Sequence, residues 1–151
     1  AFRAAFRARR CLVVADGFYE WRADGRRKRP YYFRLGGGRV FAFAGLWETW
    51  AGGSVPLRSC TLITTDANAV VAPIHHRMPV ILPPAAYDAW LGGSTPPDAL
   101  QSLLVPYPAE EMTAWEVSSR VSSPRNDSPD CIAPLDGGDG LRTTVETLEL
   151  F

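Results

Sequence analysis

The sequence predicts an α+β fold. Strands dominate it, in a curled or barrel-like mixed sheet with a few short flanking helices. Three observations point there. β-Prone runs separated by glycine turns fill the first two-thirds of the chain. Helix start and stop signals come only later. The 151 residues, 46% hydrophobic and 21% charged, suit one globular domain with a core of its own.

The elements follow in order. RCLVVA (10–15) is an apolar run that ends at the turn pair Asp16-Gly17. GFYEWRA (17–23) runs to a second turn pair, Asp24-Gly25, and RPYYFRL (29–35) ends in Gly36-Gly37-Gly38. RVFAFAGLWETWA (39–51) alternates as a half-buried strand does. VPLRSCTLITT (55–65) and RMPVIL (77–82) are further strands. Pro84, then AAYDAWL and Gly92-Gly93, has proline near a helix start and glycine past its end. Thr95-Pro96-Pro97-Asp98 offers an N-cap and a first-turn acid to ALQSLL (99–104). MTAWEVSS (112–119) reads as a late strand, and 122–140 as loop.

Composition narrows the function. No apolar run approaches the ~20 residues of a membrane helix. Three scattered cysteines, Cys11, Cys60 and Cys131, form no C-x-x-C pair, which suits a reducing cytoplasm; their default role is that of small buried hydrophobes. Net charge is zero but lopsided. Residues 1–39 hold eleven basic residues against three acidic, +8, and the rest is −8. That asymmetry fits a polyanion footprint, or a basic face paired with the acidic half.

Two stretches carry candidate chemistry. In ADGFYEWR, alternation sends Phe18 and Glu20 one way and Tyr19 and Trp21 the other. A carboxylate beside an apolar ring is costly to bury as the anion, and this is how a glutamate becomes a proton donor near neutrality. An exposed strand glutamate beside Arg22 is the plainer alternative. PIHHRMP holds both histidines, His75 and His76, and imidazole titrates near neutral pH. On an extended segment the two would face opposite ways, and no third ligand is near, so no metal is expected. Arg77 shares the parity of His75 and suits a phosphate. Trp21, in the basic stretch, suits base stacking on single-stranded nucleic acid; core packing is the default for tryptophan.

RRCLVVADGFYEWR, SCTLITTDAN, PIHHRMPVIL and VSSRVSSPRND, in that order, resemble the SRAP family, the SOS response-associated peptidases. The resemblance implies a barrel-like α+β domain with a basic cleft for single-stranded DNA. It also implies covalent capture of abasic sites, with an associated autopeptidase activity. In that chemistry an N-terminal cysteine, exposed by methionine removal, traps the ring-opened sugar as a thiazolidine. The family's active-site glutamate falls on Glu20 and its histidine on His75. Trp21, Thr64 and Arg77 match positions of DNA contact, while His76 occupies a variable position. No metal or organic cofactor is implied. The partner is single-stranded DNA carrying abasic sites, met by a cytoplasmic, nucleoid-associated monomer.

The chain departs from the family pattern at Val14, where proline is common, and at Ser122, where asparagine is common. It also starts at Ala1, without the cysteine-led segment. The sequence therefore reads as one SRAP-like domain over 1–151, truncated at its N-terminus and inactive alone. Two alternatives stand beside this: a non-catalytic single-stranded-DNA-binding module, and a metal-free hydrolase using Glu20 and His75.

Overall fold

The computed structural model describes residues 2–135. The fold is strand-rich α+β with three short α-helices among the described residues, and it divides into two compact units. One comprises the residues up to 15, with 40–66 and 78–107; the other comprises 16–39, 67–77 and the residues from 108 onward. Residues 136–140 of the expected final loop lie outside the described residues.

The first unit opens with helix α1 (Arg3–Ala8), a run of alanine and arginine that the sequence reading passed over. Strand β1 (Arg10–Ala15) pairs antiparallel with β4 (Phe41–Trp50), from Arg10↔Leu46 to Ala15↔Phe41. On its other side β4 takes β8 (Ile81–Leu82) at Ala42 and Phe43, then β5 (Leu57–Leu62) from Gly45 to Trp50. β4 differs from expectation in being buried without interruption from Phe41 to Leu46 rather than alternately. Ala44 and Leu46 pack with Ala5, Trp90 and Leu100 on one face, Phe41 and Phe43 meet edge to face on the other, and beyond Leu46 Trp47 and Trp50 are exposed. β5 is an edge strand with all six residues exposed.

Ala5, Ala44, Leu46, Val80, Leu82, Trp90 and Leu100 form the core of this unit. Helices α2 (Tyr87–Leu91) and α3 (Pro97–Ser102) supply Trp90 and Leu100. Thr95 does not cap α3 as expected. Pro96 holds the cap position, and the Thr95 hydroxyl donates instead to the carbonyl of Ala89 at 2.7 Å. β6 (Thr64–Asp66) pairs with β7 (Arg77–Pro79), splitting two runs that each read as one strand.

The second unit is built on the sheet β2–β3–β9: Phe18–Asp24, Arg27–Leu35 and Met112–Glu116. Gly25, at φ +58°, makes the two-residue turn between β2 and β3, where an L side chain would be strained. One face of the sheet carries an aromatic group. Tyr19 and Tyr32 lie 5.3 Å apart by ring centroids, and Tyr32 and Trp115 also 5.3 Å. Three of its aromatic donors hold the loop after β9. Tyr19 Oη donates to the Cys131 carbonyl, Trp21 Nε1 to Ser122 Oγ, and Trp115 Nε1 to the Ile132 carbonyl.

Among the described residues the strands form three separate sheets, and none of their pairings closes a sheet on itself. The expected curl or barrel closure is thus not present in these ladders. Closure needs the outer strands to pair, and here the four-stranded sheet stops at β5 and the three-stranded one at β2 and β9.

Candidate functional site

Glu20 stands in the middle of β2, half-buried, and faces Tyr31 on β3. Tyr31 in turn faces Glu116 on β9. Alternation therefore puts Phe18, Glu20 and Arg22 on one sheet face with Arg29, Tyr31 and Glu116. Contacts agree with that assignment. Phe18 stacks on Phe33 at 5.0 Å, and the Arg22 guanidinium lies 5.2 Å from the Tyr31 ring centroid. Arg29 grips both oxygens of Glu116, at 2.8 and 2.5 Å, and Tyr31 Oη reaches the same carboxylate at 3.5 Å. Hydrogen bonding to that carboxylate and its charge raise the pKa of the guanidinium. Trp21 goes to the opposite face, half-buried beside Tyr19 at 6.2 Å.

His75 owes its position to Asn68. The Asn68 side-chain oxygen accepts from the amides of Val70 and Val71, both at 3.1 Å, and its carbonyl accepts from Ala72 at 2.9 Å. Its side-chain nitrogen donates to Met112 Sδ at 3.1 Å. The turn so wound buries Val70 and Val71 and continues into His75, whose amide donates to the Val71 carbonyl at 2.9 Å. Ala67 closes the loop by donating to the His76 carbonyl at 3.1 Å.

The His75 and His76 rings consequently lie against one another, tilted, with centroids 4.6 Å apart and planes 32° apart. This corrects the expectation that they face opposite ways, which assumed an extended segment. They sit at the end of a turn and in a bend. No group of three or more His, Cys, Asp or Glu side chains among the described residues is placed to hold an ion.

Nδ1 of His75 lies 3.1 Å from the Arg77 amide and 2.9 Å from the Arg77 carbonyl. One backbone residue thus offers that nitrogen both a donor and an acceptor. An unprotonated Nδ1 accepts from the amide, and a protonated one donates to the carbonyl. The ring is held in either protonation state, and Nε2 does not take part in this grip.

Glu20, Trp21, His75 and Arg77 all belong to the second unit, and Thr64, exposed on β6, belongs to the first. A cavity of about 500 Å³ lies in the second unit between Tyr19 and the loop from Val121 to Ile132, on the side of β2 away from Glu20. The sequence reading missed Asn68, Tyr31, Arg29 and Glu116. Asn68 ends the stretch SCTLITTDAN, and its turn-forming type was the available signal. The Glu116 partnership, across the long gap to residue 29, left none.

Much of the basic first third is committed within the protein. Arg10 donates to the carbonyls of Phe6, Arg7, Trp90 and Gly92. Arg9 pairs with Glu48, Arg29 with Glu116 and Arg39 with Glu111. The cysteines differ in burial: Cys131 is buried, Cys11 half-buried and Cys60 exposed, which corrects the expectation of three buried thiols.

Comparison with known proteins gives a consistent set of relatives. The family model for SOS response associated peptidase (SRAP) matches residues 1–124. The abasic site processing protein YoqW of Bacillus subtilis (strain 168) is 47% identical over 135 residues, which is 87% of this chain and 60% of YoqW. The abasic site processing protein HMCES of Gallus gallus is 36% identical over 153 residues, covering 87% of this chain and 45% of that protein. A crystal structure of a Bacteroides thetaiotaomicron protein matches with a TM-score of 0.81 at 29% identity, over 88% of this chain and 60% of that one. The chain therefore spans about three-fifths or less of the length of these relatives.

Proposed function

The chain belongs to the SRAP family, and from that premise we propose that it serves abasic-site processing in single-stranded DNA, with Glu20 and His75 as its acid–base residues. The observation that carries this is the double grip of Arg77 on Nδ1 of His75, which suits a ring that must gain and lose a proton without moving. Glu20 supports it as a half-buried carboxylate beside Phe18 and Arg22 on one strand face.

In this reading the imidazole assists opening of the abasic sugar to its aldehyde, and Glu20 moves protons as the amine adduct forms and collapses. Arg77 anchors a phosphate, and Trp21 and Thr64 contact the strand. The covalent end product is a thiazolidine, which needs a thiol and an amine on adjacent carbons. Cys11, Cys60 and Cys131 are internal, carry no free α-amine and do not close that ring. The chemistry uses no metal or organic cofactor, and the acting species is a monomer in the cytoplasm.

Incubation of the protein preceded by a segment that begins with a free N-terminal cysteine, with an abasic single-stranded oligonucleotide, followed on denaturing gels, tests the assignment. Positioned acid–base groups are worth about 10²–10⁴-fold. Glu20→Gln and His75→Ala are each expected to slow product formation tenfold or more, with little change in DNA affinity. Wild-type rates in both variants would sink the roles given to them. Salt-dependent binding with no crosslink even from the cysteine-led protein would favour the reading as a binding module.

A further inference from the structure

We propose that the outer end of the β2–β3 hairpin, residues 22–29, is an arm that grips the phosphodiester backbone of the strand flanking the nucleotide at Glu20. The inference rests on the nucleic-acid reading above and adds to it a second point of contact.

The arm is set by the pairing pattern. β9 covers β3 only from Leu35 to Tyr31, and the Val117 amide makes the last bond, to the Pro30 carbonyl. The pairs Arg22↔Arg29, Ala23↔Lys28 and Asp24↔Arg27 run on beyond it, closed by Gly25 and Arg26. Three rungs at about 3.4 Å project the hairpin roughly 10 Å past its third strand. Residues 23–28 are all exposed. The eight residues carry five cations against Asp24, net +4, and no large apolar side chain. Such a hairpin has nothing with which to dock on an apolar surface.

Its charges are also unequally used. Arg29 is spent on Glu116 and Asp24. Arg26, Arg27 and Lys28 have no acidic partner within 4.0 Å among the described residues. Three neighbouring cations at a two-residue turn repel one another, and a polyanion relieves that repulsion. Register ties the arm to the site, since Arg22 and Arg27 share the sheet face of Glu20. A strand whose nucleotide lies at Glu20 would pass its neighbouring phosphates along the arm. Charge on a bare hairpin edge also discourages strand-to-strand aggregation, and the experiment separates the two roles.

The test is anisotropy with the 151-residue chain, fluorescent single-stranded oligonucleotides and a salt series. One oligonucleotide is long, and one is too short to extend past Glu20. Each single-strand phosphate contact adds about 0.7 to the slope of log K against log salt. The Arg26→Ala/Arg27→Ala/Lys28→Ala variant should lose about 2 from the slope with the long oligonucleotide and nothing with the short one. Arg26→Lys/Arg27→Lys should restore it. An unchanged slope in the triple variant, while Arg77→Ala weakens binding, would overturn the arm and leave the nucleic-acid reading standing. No binding by the wild type at low salt would overturn both. Polyglutamate competing as well as DNA of equal charge would overturn the nucleic-acid specificity of the arm.

Discussion

The side-chain oxygen of Asn68 accepts from the amide of Val71 at 3.1 Å, and the same Val71 presents its carbonyl to the His75 amide at 2.9 Å. One asparagine thus winds the backbone that delivers the imidazole. Asn68→Ala takes the side-chain acceptor from the Val70 amide and leaves Val71 only the Asn68 carbonyl, a loss comparable to that of a helix cap at about 1 kcal/mol. It should slow processing of abasic DNA through misplacement of His75. Asn68→Asp keeps the acceptor and should recover most of the rate. Thermal melts alongside gel time courses check this, and equal rates in all three proteins would remove Asn68 from the account.

Gly17 is predicted to be irreplaceable for a steric reason. A Cβ there would meet the Tyr32 ring at 2.2 Å, and Tyr32 is buried between Tyr19 and Trp115. Gly17→Ala should therefore cost about 1–3 kcal/mol, the usual range for overpacking. Chemical denaturation measures it, and a near-ultraviolet circular dichroism change would report displacement of the aromatic group.

The phenols of that group give an alkaline signature. Burial raises the Tyr19 pKa above 10.0, helped by Cys131, Asp16 and Asp127. Burial likewise raises that of Tyr32, with Asp16 and Tyr19 adding and Arg34 opposing. A folded pKa above the unfolded one means that the native state holds the proton longer. The associated stability is complete below about pH 10 and is lost as pH rises through the folded values. Phenolate absorbance should show two tyrosines titrating late, and the melting temperature should fall over the same range. Ordinary titration of every tyrosine would contradict it.

Thiol reactivity should follow burial. Cys60 is exposed on β5, whereas burial, with Cys60 contributing, pushes the Cys11 thiol up. Alkylation at about pH 8 should modify Cys60 first, Cys11 slowly, and buried Cys131 only on unfolding. Mass spectrometry of a time course gives the order, and early labelling of Cys131 would argue against its packing under Tyr19.

What was legible in the sequence was local. The alternation of Phe18, Tyr19, Glu20 and Trp21 reads directly from a period of two, and Asp24-Gly25 announced its turn by type. The continuous burial of β4 was not legible, because Ala44 and Leu46 are covered by residues from far along the chain, Trp90 and Leu100 among them. Nor was the pairing of the histidine rings, which follows from where Asn68 places its oxygen. The Glu20 and His75 motifs were visible as residue types, but the Arg77 grip on Nδ1 is a matter of backbone path.

The two units are interleaved along the chain, each drawn from three separate stretches. Synthesis therefore delivers them in alternation. β2 and β3 leave the ribosome early, yet β9 joins them only after residue 116. β1 waits for β4, and β4 for β8. Neither unit can be cut out as a contiguous piece, and although β1–β4, β2–β3 and β4–β5 can pair once residue 62 is made, β8 and β9 complete the two sheets only later. Such long-range closure slows folding, and a growing chain would hold β4, with its Phe41 and Phe43, uncovered on one side until residue 82 emerges.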